Sequence, residues 1–73
     1  MTTKPLTETE IAEIRAHLQE LQIEHRDLDS VIDHLEVSPP PDELLVRRLK
    51  KRKLLLKDRI LQLQEMLVPD IPA

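Results

Sequence analysis

"DHLEVSPPPDELLV", residues 33–46, decides how this chain folds, because a helix-forming pattern runs into three consecutive prolines and resumes directly behind them. Each proline lacks an amide donor and biases the residue before it out of the helical region, so no single helix runs through positions 39–41. The stretch is a short, stiff corner. It also starts the helix behind it, since proline is tolerated in a first helical turn, and Asp42 and Glu43 stand where a helix dipole favours negative charge.

Reading back from the corner, Leu35, Ile32, Leu28, His25, Leu21, Leu18, Ile14 and Ile11 alternate in steps of three and four, the a/d seam of a helix that buries one stripe on a partner helix. His25 is its one polar member. The start of that helix is marked at "LTETEI", where Thr7 as N-cap and Glu10 three residues on make a capping box, with Leu6 and Ile11 at the staple positions. Beyond the corner a second seam reads Val46, Leu49, Lys53, Leu56, Ile60, Leu63 and Leu67, with Lys53 as its polar member, and it stops before Pro69. The expected organisation is a single domain over 1–73, with helix 1 at about 8–36, a corner at 37–41, helix 2 at about 42–67 and a short tail at 68–73.

Two narrow-striped helices joined by a short rigid corner fold back on each other, so the expected fold class is all-α, an antiparallel two-helix hairpin of coiled-coil type that can associate further into a four-helix bundle. Folding at the prolines brings together residues whose numbers sum to about 80. Leu35 is then expected near Leu45, Ile32 near Leu49 and Leu18 near Leu63. A swapped or fully extended dimer using the same seams stays open, because stiff corners favour either.

Composition narrows the function. With 73 residues the core is small, and with no cysteine there is no disulfide to reinforce it, which also fits a reducing compartment. The N-terminus has no apolar signal core and no run approaches the roughly 18 apolar residues of a membrane span, so a soluble, cytoplasmic chain is expected. No aromatic residue offers a stacking platform and no glycine offers a phosphate-cradling loop. Paired carboxylates abound, yet a two-helix hairpin gives them no walled pocket, and Ser30 has no elbow to activate it. His17 and His34 lie too far from His25 to share a metal with it. No catalytic, cofactor or metal site is expected, and no small-molecule substrate.

Charge is segregated by helix. Residues 7–37 carry nine acidic side chains against Arg15 and Arg26, whereas "RRLKKRKLLLKDR", residues 47–59, packs eight basic ones into a chain of net charge −3. Lys50, Arg52, Lys57 and Arg59 fall on the e and g positions beside the seam, facing Glu24, Asp29 and Glu36. Lys53 is expected to reach Asp29, and Glu43 precedes Arg47 by the four residues of a favourable helical pair. Arg47, Arg48 and Lys51 near the corner are the candidates for an anion or nucleic-acid contact, a small footprint for a backbone-binding protein. His25, Asp29 and Lys53 read as polar seam residues that set register, His25 through a hydrogen bond across the helix pair.

"HRDLDSVI" (25–32), the proline corner and "LKKRKLLLKDRI" (49–60) together resemble the YdcH-like family of small bacterial proteins, a domain of unknown function. The matching positions are His25, Leu28, Asp29, Leu49, Lys50, Lys51, Lys53, Leu54, Leu56, Lys57, Asp58 and Ile60, within a resemblance over roughly 18–67. It implies a bacterial cytoplasmic helical hairpin with no established activity.

One pattern is left over. Leu54, Leu61 and Val68 recur at intervals of seven outside the seam of helix 2, with Leu55 beside them. A second apolar stripe on an already paired helix points to burial against another protein or a second copy. The sequence therefore reads as a small non-catalytic interaction protein acting through Leu54, Leu55, Leu61 and Val68. The alternative is a nucleic-acid-associated protein using Arg47, Arg48 and Lys51.

Overall fold

The computed structural model describes residues 5–37 and 42–67. It contains two helices, α1 (Glu8–Val37) and α2 (Glu43–Leu67), packed along their length as the expected antiparallel hairpin. Residues 38–41 of the corner and 68–73 of the tail, Val68 among them, lie outside the described residues.

α1 begins where its capping box places it. The Thr7 amide donates to Glu10 Oε1 at 3.0 Å and the Glu10 amide to Thr7 Oγ1 at 3.1 Å, so two amides left over at the helix start are satisfied reciprocally. The Thr7 amide, and after it the hydroxyl, hold the Glu10 carboxyl below its ordinary value. Leu6 and Ile11, the staple pair, are both half-buried. α1 runs one residue past the expected end, and α2 starts one residue later than expected because Asp42 is its N-cap: Asp42 Oδ1 accepts from the Leu45 amide at 3.1 Å. The first turn of α2 therefore begins at Glu43, behind this cap.

The seam is the core. Every predicted a/d residue from Ile11 to Leu35 and from Val46 to Leu67 is buried or half-buried, and the four most enclosed are Ile32, Val46, Leu56 and Leu63. The molecule measures 54 × 23 × 18 Å. Its two described helices lie side by side, so the hairpin is one helix deep. Each helix has a covered seam and an uncovered back.

Candidate interaction surface

Among the described residues, three ion pairs fix the register of the hairpin. Lys50 Nζ lies 3.1 Å from Glu36 Oε1, Arg52 Nη2 donates to Glu24 Oε1 at 3.1 Å, and Lys53 Nζ donates to Asp29 Oδ1 at 2.6 Å. Their residue numbers sum to about 80, as a fold at the corner requires. Reversal of one helix brings e positions against e and g against g, and the Lys50–Glu36 and Arg52–Glu24 pairs are of those two kinds.

Two of the four expected flanking cations, Lys57 and Arg59, form no ion pair among the described residues. One heptad beyond Lys50–Glu36 the same register sets Lys57 against Asp29, which Lys53 already holds. One heptad beyond Arg52–Glu24 it sets Arg59 against His17, which is no acid, and Arg59 Nη1 donates to Gln62 Oε1 at 3.2 Å instead. The expected Glu43–Arg47 pair is also absent among the described residues. Exposed pairs at that spacing contribute only about 0.3–0.5 kcal/mol, too little to hold two long side chains against water.

Inside the seam the two polar residues differ. The hydrogen bond from Lys53, and next the charge of its ammonium, hold the Asp29 carboxyl below its ordinary value. The same hydrogen bond, with the charges of Asp29, Asp33 and Glu36, raises the Lys53 ammonium against the opposing effect of burial. His25 departs from expectation: its Nε2 is shut off from solvent with no hydrogen-bond partner, so it makes no bond across the pair there. His34 Nδ1 lies 3.0 Å from the Ser30 carbonyl one turn back, a local contact, and no group of three metal-ligating side chains occurs among the described residues.

Asp29 and Lys53 make the stability of the hairpin depend on pH. A carboxyl lowered in the folded state stabilises it above the unfolded value, and that contribution is lost as pH falls through the folded value. An ammonium raised in the folded state stabilises it below the unfolded value, and that contribution is lost as pH climbs through the raised one. Urea midpoints are therefore expected to be flat through neutral pH and to fall at both acidic and strongly alkaline ends. The Asp29→Asn variant should lose the part of the acidic fall that this carboxyl causes.

Two shallow, solvent-open grooves lie on the e-position side of the hairpin. One is lined by Glu36, Glu43, Val46, Arg47 and Lys50 beside the corner; the other is lined by Gln22, His25, Arg26, Lys57, Ile60, Leu61 and Gln64, so Leu61 stands where this groove meets the back of α2. Neither encloses a reacting group, as a walled catalytic site would.

The back of α2 is different. Leu54 is 59% exposed, Leu55 54% and Leu61 48%, three large apolar side chains within two turns. Asp58 stands four residues after Leu54 and three before Leu61, so it shares their face and interrupts the stripe. Leu55 lies across the same face from Leu54 and Leu61, making a patch wider than a single row. Arg47, Arg48 and Lys51 occupy the N-terminal part of this back face and Glu65 its C-terminal part; none of these joins an ion pair among the described residues, nor does Asp58. Sequence reasoning left out Ile23, Val31, Val37, Leu44 and Met66, also exposed; Leu44 stands seven residues before Lys51 at the N-terminal end of the α2 back face, and the others share no seven-residue row with the stripe.

A family model described as a protein of unknown function, DUF465, matches residues 18–64. The chain belongs to the DUF465 family. The match bears out the YdcH-like resemblance and covers the polar seam residues His25, Asp29 and Lys53, the ion pairs and Leu54, Leu55 and Leu61, whereas the α1 capping box and Val68 lie outside it. No curated protein and no solved structure matches the chain. No described helix of this DUF465 member is long and apolar enough to cross a membrane.

Proposed function

We propose that this DUF465 protein is a non-catalytic interaction module of the cytoplasm, whose hairpin presents the back of α2 to a helix of another protein chain. The observation that carries this reading is the exposure of Leu54, Leu55 and Leu61 on a helix whose seam already faces α1. Keeping large apolar side chains grouped on one face in water costs free energy, and a helical groove or stripe is the complementary surface for them. The partner chemistry is correspondingly an amphipathic helix with a leucine-type stripe and charges on its margins.

The test is photo-cross-linking in cells through a photoreactive residue at position 62, on the margin of the patch. Protein adducts are expected from the otherwise native chain and not from Leu54→Glu/Leu61→Glu, whose seam is untouched. Adducts unchanged by those substitutions would place the contact elsewhere. Nucleic-acid adducts that vanish in Arg47→Gln/Arg48→Gln/Lys51→Gln would replace this reading with the alternative in which the basic cluster holds phosphates.

A further inference from the structure

The back of α2 is polarised in charge along its length. Arg47, Arg48 and Lys51 lie on the N-terminal side of the leucines; Asp58 and Glu65 lie among and beyond them, and all five lack an ion-pair partner among the described residues. A helix with one sign at one end and the other sign at the other end complements its own reversed copy. Placed antiparallel, each half meets its opposite; placed parallel, each meets its like.

We infer that a second copy of this chain covers the back of α2, with the two α2 helices antiparallel across a two-fold axis passing between residues 55 and 56. This deepens the proposed function and rests on the same patch being an interface. At a rise of about 1.5 Å per residue, that axis sets Lys51 within about 3 Å, measured along the helix, of Asp58 of the second copy. Arg47 and Arg48 then stand within about 3 Å of the level of its Glu65 by the same measure. Leu54 and Leu55 of both copies meet at the centre and Leu61 closes each end of the apolar strip. The two Asp58 carboxylates are kept about 7.5 Å apart along the axis, each beside a lysine of the opposite copy.

The arrangement uses one patch twice, as a two-fold contact must. It also gives four helices in two antiparallel pairs, with the seams inside each hairpin and the leucine strip between hairpins. The acidic side chains Glu13, Glu20 and Asp27, which lie on the side of α1 away from its seam, take no part in it. Their sign is opposite to the N-terminal half of α2 and equal to its C-terminal half, so α1 complements only part of the polarised face, whereas α2 complements all of it.

The experiment is sedimentation velocity on the purified full chain over a wide concentration range, with three variants. Arg48→Glu/Lys51→Glu makes the back face predominantly acidic, and Asp58→Lys/Glu65→Lys makes it uniformly basic. Each is expected to weaken self-association by about tenfold or more, since like charges then meet across the axis. Combining all four reverses the polarity everywhere but at Arg47 and is expected to recover most of the lost association, which only a partner bearing the same four changes can produce. All these side chains are exposed, and circular dichroism of each variant confirms that the hairpin is intact.

A native chain that stays monomeric, a dimer indifferent to the paired substitutions, or a quadruple variant that does not recover overturns the second copy as occupant. The proposed function fails separately. If the purified chain is monomeric and yet the cellular protein adducts at position 62 vanish in Leu54→Glu/Leu61→Glu, the patch is an interface for a different helix. If those adducts persist unchanged, the patch is not an interface at all.

Discussion

Leu56→Ala is expected to lower the stability of the hairpin by about 2–5 kcal/mol, measured as the shift in a urea transition followed by far-ultraviolet circular dichroism. Leu56 is 3% exposed and belongs to a core whose other most enclosed members are Ile32, Val46 and Leu63. Deleting three of its carbons removes the transfer contribution of those groups and leaves a gap that two stiff rods cannot fully close. The loss is large against the whole, because a chain of this length has a total of roughly 4–11 kcal/mol at ordinary stability per residue. Leu54→Ala two residues away supplies the contrast. That side chain is 59% exposed and outside the seam, so in dilute solution its removal is expected to change stability by no more than about 0.5 kcal/mol. Equal effects at the two positions would mean that the helices pair through the back of α2, and the a/d seam would not be the core. Run at high protein concentration, the same pair of variants separates folding from association, since only Leu54→Ala should then lose a concentration-dependent part of its midpoint.

Most of the fold was legible because it is written in one period. The a/d spacing of Ile11 to Leu35 and Val46 to Leu67 survives the reversal at the prolines, and every residue it named is buried or half-buried. Thr7 and Glu10 were legible for a similar reason: a reciprocal pair at fixed spacing leaves little freedom. Lys53–Asp29 came from register alone. What the period could not show is competition among partners. Asp29 faces both Lys53 and Lys57 in the register, and the flanking positions assigned to Lys57 did not show that, with Lys53 on Asp29, Lys57 is left without an acid among the described residues. Asp42 looks in sequence like a charge near a dipole, whereas its carboxylate is a cap, because "PPPDEL" leaves the first helical residue open by one position. The stripe was visible as Leu54 and Leu61, but not the meaning of Asp58 within it. A single acid between leucines reads as noise until the helix shows it on the same face as Lys51 and Glu65. His25 shows the same limit at the seam, since spacing puts an imidazole there and says nothing of what its nitrogens meet.

His25→Leu is accordingly expected to stabilise the hairpin, by about 1–3 kcal/mol, although it removes a residue from the middle of the seam. His25 Nε2 is excluded from solvent and bonds to nothing, so the folded state carries a desolvation cost that leucine does not. Leucine also brings an apolar side chain of similar reach to a position flanked by Leu21 and Leu28. In a domain of this size the gain corresponds to a rise of about 4–8 °C in melting temperature for each kcal/mol. What the histidine supplies is a break in the apolar run, since a continuous leucine seam tolerates several registers. The variant is therefore expected to melt higher and to populate more than one assembly in sedimentation velocity, while the register pair Lys53–Asp29 loses its monopoly. Joining His25→Leu to Lys53→Leu should amplify the second effect, because both polar seam positions are then gone. A lower melting temperature for His25→Leu would show instead that the imidazole is satisfied in solution, and its role would then be the hydrogen-bonded one that its seam position first suggested.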